Sequence, residues 1–123
     1  MAASAGINII VELLGLGKIQ SFVERFSLSN TPALAHYNYR VQATTDTEEA
    51  LDLGGVSTVD LIAIKAVSKD LIIDTSYAAA TFSEEINLPE GEIAVFKPVG
   101  STIYVMNGTA LDVCTYEYLL IGR

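Results

Sequence analysis

The side chains able to do covalent or metal chemistry are few. The chain of 123 residues holds one histidine, His36, and one cysteine, Cys114. Triad hydrolysis needs a base beside a nucleophile, and no motif around His36 supplies the partner. His36 therefore reads as a histidine on the polar face of a strand. Zinc and iron sites need several converging His, Cys or carboxylate ligands, which one His and one Cys do not provide. Cys114, in Val113-Cys114-Thr115-Tyr116, has no neighbouring cation or helix start to lower its pKa and reads as a packed thiol. Carboxylates cluster at Asp46-Glu48-Glu49-Asp52, at Glu84-Glu85 and at Glu90-Glu92. Glycoside hydrolysis needs two of them facing each other across a cleft, and adjacent strand residues point to opposite faces. The first cluster lacks an EF-hand spacing and reads as a solvated acidic loop. Gly15-Leu16-Gly17 is too short for a nucleotide-binding loop. The expectation is a protein that is not an enzyme, with no catalytic, cofactor-binding or metal-binding residues and no cofactor.

Five tyrosines, at 37, 39, 104, 116 and 118, could stack on sugars. Same-face pairs such as Tyr37/Tyr39 and Tyr116/Tyr118 equally serve a core or an interface, and the absence of tryptophan weakens the sugar reading.

Charge narrows the partners. The formal net charge is −8, and the seven Lys and Arg residues are scattered. Without clustered cations to displace counterions, neither nucleic acid nor an anionic membrane surface is an expected partner. No apolar run is long enough to span a bilayer as a helix, and Met1 to Gly6 lacks the basic start of a signal peptide. An unpaired cysteine fits folding in a reducing cytoplasm.

The elements that position these residues read as strands. Ile7, Ile9, Val11 and Leu13 alternate with a period of two until Gly15-Leu16-Gly17 breaks the run. Residues 18–26 fit either a helix face or a strand, with the strand favoured. On the next strand Tyr37, Tyr39, Val41 and Ala43 share one face; His36, Asn38, Arg40 and Gln42 form the other, expected to be the wet side. Ala50 to Leu53 reads as a short edge strand closed by Gly54-Gly55. Val59 to Val67 is apolar on both faces, as an inner strand is. Pro89-Glu90-Gly91-Glu92 is a turn, and Asn107-Gly108 predicts a tight hairpin. Val113 to Ile121 is a long last strand. Eight to ten strands with turns about every ten residues predict an all-β antiparallel sandwich or barrel. One domain spanning 1–123 is expected, with 1–6 as a flexible arm, and the strand from Ile7 to Leu14 is a candidate for pairing with a neighbouring subunit's sheet edge.

From Thr47 onward the sequence resembles small structural proteins of tailed bacteriophages. The likeness rests on Glu48-Glu49-Ala50-Leu51-Asp52-Leu53-Gly54-Gly55-Val56-Ser57-Thr58-Val59-Asp60-Leu61, on Phe82 and Ile86-Asn87-Leu88, on Pro89-Glu90-Gly91-Glu92-Ile93-Ala94-Val95-Phe96-Lys97-Pro98, and on Tyr116-Glu117-Tyr118-Leu119-Leu120-Ile121-Gly122. It implies a jelly-roll-like β-sandwich and a capsid decoration (cement) role on the virion exterior, after assembly in a host bacterial cytoplasm. The implied partners are the major capsid protein and further copies of the chain, as a dimer or trimer. A tail or collar component, or a receptor- or carbohydrate-binding module, is the alternative. The resemblance carries over no functional residues.

Overall fold

The structure is a computed structural model, described here for residues 3–123. Met1 and Ala2, the start of the expected 1–6 arm, lie outside the described residues. The contacts divide the chain into two units, one ending at Pro32 and the other running from Ala33 to Arg123. Where the sequence pattern suggested one domain, the sandwich occupies only the second unit.

The first unit is an antiparallel hairpin. Strand β1 (Gly6–Leu13) pairs with β2 (Gln20–Ser27) over eight residue pairs, from Gly6 opposite Ser27 to Leu13 opposite Gln20. The ambiguous segment 18–26 is thus strand from Gln20 onward. Gly15 and Gly17 take φ of 90° and 81° in the connecting loop, a region costly for residues bearing a Cβ. Residues 3–5 are irregular, and β1 starts at Gly6, the last residue of the expected arm.

The second unit contains β3 (Leu34–Val41), β4 (Glu49–Ala50), β5 (Val59–Ser68), β6 (Leu71–Asp74), β7 (Ile86–Leu88), β8 (Ile93–Phe96), β9 (Tyr104–Asn107) and β10 (Thr115–Gly122). They form two four-stranded antiparallel sheets, β3-β10-β5-β8 and β4-β9-β6-β7. Counted within the unit, the orders are 1-8-3-6 and 2-7-4-5, the winding of a jelly roll. The chain changes sheet at every connection except β6 to β7. The all-β, jelly-roll-like sandwich expected from the sequence is therefore the fold of this unit.

Side-chain alternation explains the winding. Ile62, Ile64 and Ala66 of β5 and Tyr116, Tyr118 and Leu120 of β10 point inward from one sheet. Leu71 and Ile73 of β6, Leu88 of β7 and Val105 of β9 meet them from the other. Each fully buried aliphatic side chain stabilises the fold by about 1.5–3 kcal/mol. The doubly apolar β5 is an inner strand between β10 and β8, as its sequence predicts.

Turn chemistry is partly as expected. Gly91 takes φ of 88°, and the Glu92 N–H donates to the Pro89 carbonyl at 2.9 Å, closing the predicted turn. The expected Asn107-Gly108 hairpin is absent: β9 and β10 lie in different sheets, so this turn starts a crossing between layers. The Gly108 N–H donates to the Asp70 carbonyl at 2.8 Å, and a Cβ there would lie 2.8 Å from that of Asp70. Close approach, rather than a two-residue loop, is what this glycine permits.

Candidate functional site

The structure disperses the residues that could do chemistry. His36 sits on β3 with Nε2 buried, without a hydrogen-bond partner, and 3.7 Å from Oδ2 of Asp52. Its ring lies edge-on to Tyr118 at a centroid distance of 6.0 Å. The backbone of Gly54, at φ 59°, presses against the same ring; a Cβ there would lie 2.3 Å from it. His36 thus fills a packed niche beside one carboxylate. Cys114 is in the core, with Sγ 3.3 Å from Oε1 of the buried Gln42. Burial pushes its thiol up to about 11, so it is not a thiolate at neutral pH.

The carboxylates of the expected solvated loop serve as hydrogen-bond acceptors, none of them buried. Asp46 accepts from Asn107 Nδ2 at 2.7 Å and from the Leu111 N–H at 2.9 Å, bonds that hold its carboxyl below the usual range. The Asp46 N–H donates back to Asn107 Oδ1 at 2.7 Å, so one Asp–Asn clasp ties the β3–β4 connection to the β9–β10 crossing. Glu49 accepts from the Tyr116 hydroxyl at 2.9 Å, Glu48 from the Tyr77 hydroxyl at 3.0 Å, and Asp52 from the Gly54 N–H at 2.9 Å. These sequence-close acids are drawn to different parts of the fold because each has a separate donor to satisfy. Burial opposes ionisation of Asp74, but hydrogen bonds from the N–H groups of Ser83 and Ser76, each at 2.8 Å, together with the side chains of Glu85 and Ser76, lower its pKa. Among the described residues no group of three or more His, Cys, Asp or Glu is placed to hold a metal ion.

The tyrosines separate into three settings. Tyr116 and Tyr118 are buried and stacked at 6.0 Å, with hydroxyls donating to Glu49 and to the Asp52 carbonyl; burial raises both phenol pKa values. Tyr77 and Tyr104 stack at 3.6 Å. Tyr37 and Tyr39 are exposed.

That last placement reverses the expected wet side of β3. The polar residues His36, Asn38, Arg40 and Gln42 face partly or wholly into the structure, where Asn38 Nδ2 donates to the Tyr118 hydroxyl at 3.3 Å. The apolar and aromatic residues face out. Binary patterning distinguishes two faces of a strand but does not say which the solvent takes, and here the inner face is polar because β3 is an edge strand covering tyrosine hydroxyls.

The register extends this outward face across four strands. One row runs Tyr37–Leu119–Ala63–Val95 and the next Tyr39–Glu117–Lys65–Ile93. Tyr37 and Ile93 are each 61% exposed, and Tyr39, Val41, Val95 and Leu119 lie between 41% and 54%. A solvated sheet face normally alternates polar-out, and this one does not. The Tyr37 hydroxyl donates to Glu117 Oε2 at 2.6 Å. A shallow depression lies between Tyr37, Ala63, Lys65, Ile93, Glu117 and Leu119. The sequence signal was present: on β10 and β5, Leu119 and Ala63 are apolar on the side opposite the core residues.

The hairpin carries a second such surface. Its register places Ile7, Ile9, Val11, Leu13, Phe22 and Phe26 on one side with Glu24 and Gln20; Asn8, Arg25, Glu12 and Ser21 share the other with Ile10 and Val23. Val11 and Phe22, directly opposite each other, are each 57% exposed. Lys18 and Arg25 balance Glu12 and Glu24, so the hairpin unit has no formal net charge and the whole −8 lies on the sandwich. No protein-family model, curated protein or solved structure matches the chain.

Proposed function

We propose that the chain is a virion structural protein of the capsid decoration type, which docks on the major capsid protein and performs no chemistry. The observation that carries this reading is the hairpin. Two strands alone are marginally stable in water, and a third strand or a packed layer normally covers such an apolar side. Within its own unit this hairpin has neither. Val11, Leu13, Phe22 and Phe26 are exposed on that side, Ile10 and Val23 on the other, and Leu14, Leu16 and Ile19 in the connecting loop. An uncharged ribbon approaches an acidic or a basic protein surface equally well, and its two free edges offer backbone groups for strand addition. The major capsid protein is the occupant this reading assigns, with the sandwich left on the virion exterior.

Support also comes from the fold. A jelly roll is a winding used by capsid proteins, though also by lectins and cupins, so it counts as analogy. The sandwich satisfies its buried tyrosines, glutamine and aspartate internally, which suits a rigid spacer. Tail or receptor-binding placement is the second reading, favoured by the exposed Tyr37 and Tyr39.

The test is a binding assay on particles stripped of the protein. Wild type is expected to rebind at a fixed ratio to the major capsid protein. A Val11→Asp/Phe22→Asp variant, with circular dichroism unchanged, is expected to lose that binding. Rebinding by the variant at wild-type affinity, or absence of the protein from heads, rejects the reading.

A further inference from the structure

The outward face of the β3-β10-β5-β8 sheet is built from sandwich residues alone. We propose that it is the interface of a two-fold dimer, with a second copy of this chain as its occupant.

The face is complementary to itself. In a two-fold contact between flat sheets the axis lies in the interface, and here it would run along the strands between β10 and β5. That rotation exchanges β10 with β5 and β3 with β8. Because the four strands are in register, each row then faces itself reversed. Glu117 meets the partner's Lys65, and Lys65 meets the partner's Glu117. Leu119 lies over the partner's Ala63, a large side chain against a small one. Tyr37 covers the partner's Val95, and Tyr39 covers the partner's Ile93. Every apolar residue in the two rows meets another apolar residue, and every charge meets its opposite. An isologous interface requires this pairing of a patch with itself.

Charge decides between this occupant and others. The sandwich carries the whole −8, so two copies repel at long range, yet the centre of this face carries one positive and one negative group side by side. The close pairing places opposite charges together at the point of contact and sets the register. The exposed apolar side chains amount to on the order of 700 Å², near the roughly 800 Å² each partner buries in a standard complex. Sheets packed this way keep their strands within about 30° of each other, which tolerates the twist of each sheet.

The test is solution mass by analytical ultracentrifugation on the full chain, together with three variants. Wild type is expected at twice 13.2 kDa or a multiple of it. Lys65→Glu gathers four carboxylates at the centre of the contact, and Glu117→Lys gathers four ammonium groups. Each single variant is expected to dissociate with a Kd raised about 100-fold, from two pairs at about tenfold each. The double variant Lys65→Glu/Glu117→Lys restores both pairs and should regain the wild-type mass. Mixing the two single variants should give a one-to-one heterodimer, which a merely local strand effect would not produce. A wild-type monomer at ~100 µM, an assembly unchanged by both single substitutions, or single variants that do not pair on mixing each overturn the proposal. Since no particle is involved, failure here leaves capsid docking standing, and failure of docking leaves the dimer standing.

Discussion

Gly122 is the position where one added methyl group should do most damage. It ends β10 at an irregularity of the β10–β5 register, opposite Val59. A Cβ at Gly122 would lie 1.9 Å from the Thr58 carbonyl oxygen and 2.7 Å from Cγ1 of Val56. Backbone oxygen cannot swing aside as a side-chain tip can. Gly122→Ala must therefore move the 56–58 segment away from the end of β10 by more than an ångström. Three hydrogen bonds are held at that contact: Arg123 N–H to Thr58 C=O, Thr58 N–H to Arg123 C=O, and Ser57 N–H to Arg123 C=O, each at 2.9 Å. At about 1 kcal/mol each their loss costs ~3 kcal/mol, before any void around the buried Val56 is counted. For a sandwich of this size that is a fall in Tm of roughly 12–24 °C. Urea unfolding followed by far-ultraviolet circular dichroism reads the change directly. Gly100→Ala is the control: a Cβ there meets nothing within 4 Å, and the change should stay within about 0.5 kcal/mol. A Gly122→Ala protein within 1 kcal/mol of wild type would refute the packing of this strand end.

Other outcomes follow from the same contacts. Leu120→Ala removes a fully buried side chain between the sheets and should cost about 2–5 kcal/mol by urea unfolding. Tyr116→Phe leaves Glu49 without its hydroxyl donor and should cost ~1–2 kcal/mol, with little change in the m-value. The depressed pKa of Asp74 means the folded state holds its proton less tightly than the unfolded chain does. Its contribution is therefore present above the unfolded carboxylate pKa and lost as pH falls through the folded one. Asp74→Asn should flatten the acid limb of a stability-against-pH curve; an unchanged limb contradicts the assignment. Cys114 should react with iodoacetamide at pH 8 at least ~100-fold more slowly in the native protein than in urea, because the thiol is both protonated and buried.

The strands were legible because period-two alternation is local, and β5, β10 and the hairpin strands all stand where the apolar residues place them. Tyr116 and Tyr118 could be assigned to a core or interface face, but their partners Glu49 and Asp52 lie more than sixty residues away, and no local pattern announces them. Asn107-Gly108 was misread because turn propensity does not specify the sheet of the next strand, and in a jelly roll nearly every connection changes sheet. The inverted faces of β3 have the same origin. A row such as Tyr37–Leu119–Ala63–Val95 is assembled from four separate stretches of sequence, so its apolar character appears only once the register is known. The division at Pro32 leaves no trace in the strand pattern, since both units are built from the same strand-forming residues, and shows only in charge, which is balanced in the hairpin and −8 in the sandwich.

An electron-microscopy reconstruction of an intact particle bears most directly on the proposed structural role. For a decoration protein the expected result is the jelly roll on the outer surface of the head, with β1 and β2 lying on the major capsid protein and Val11 and Phe22 at the contact. A head with no density for the chain, or a hairpin projecting freely into solvent, would contradict it.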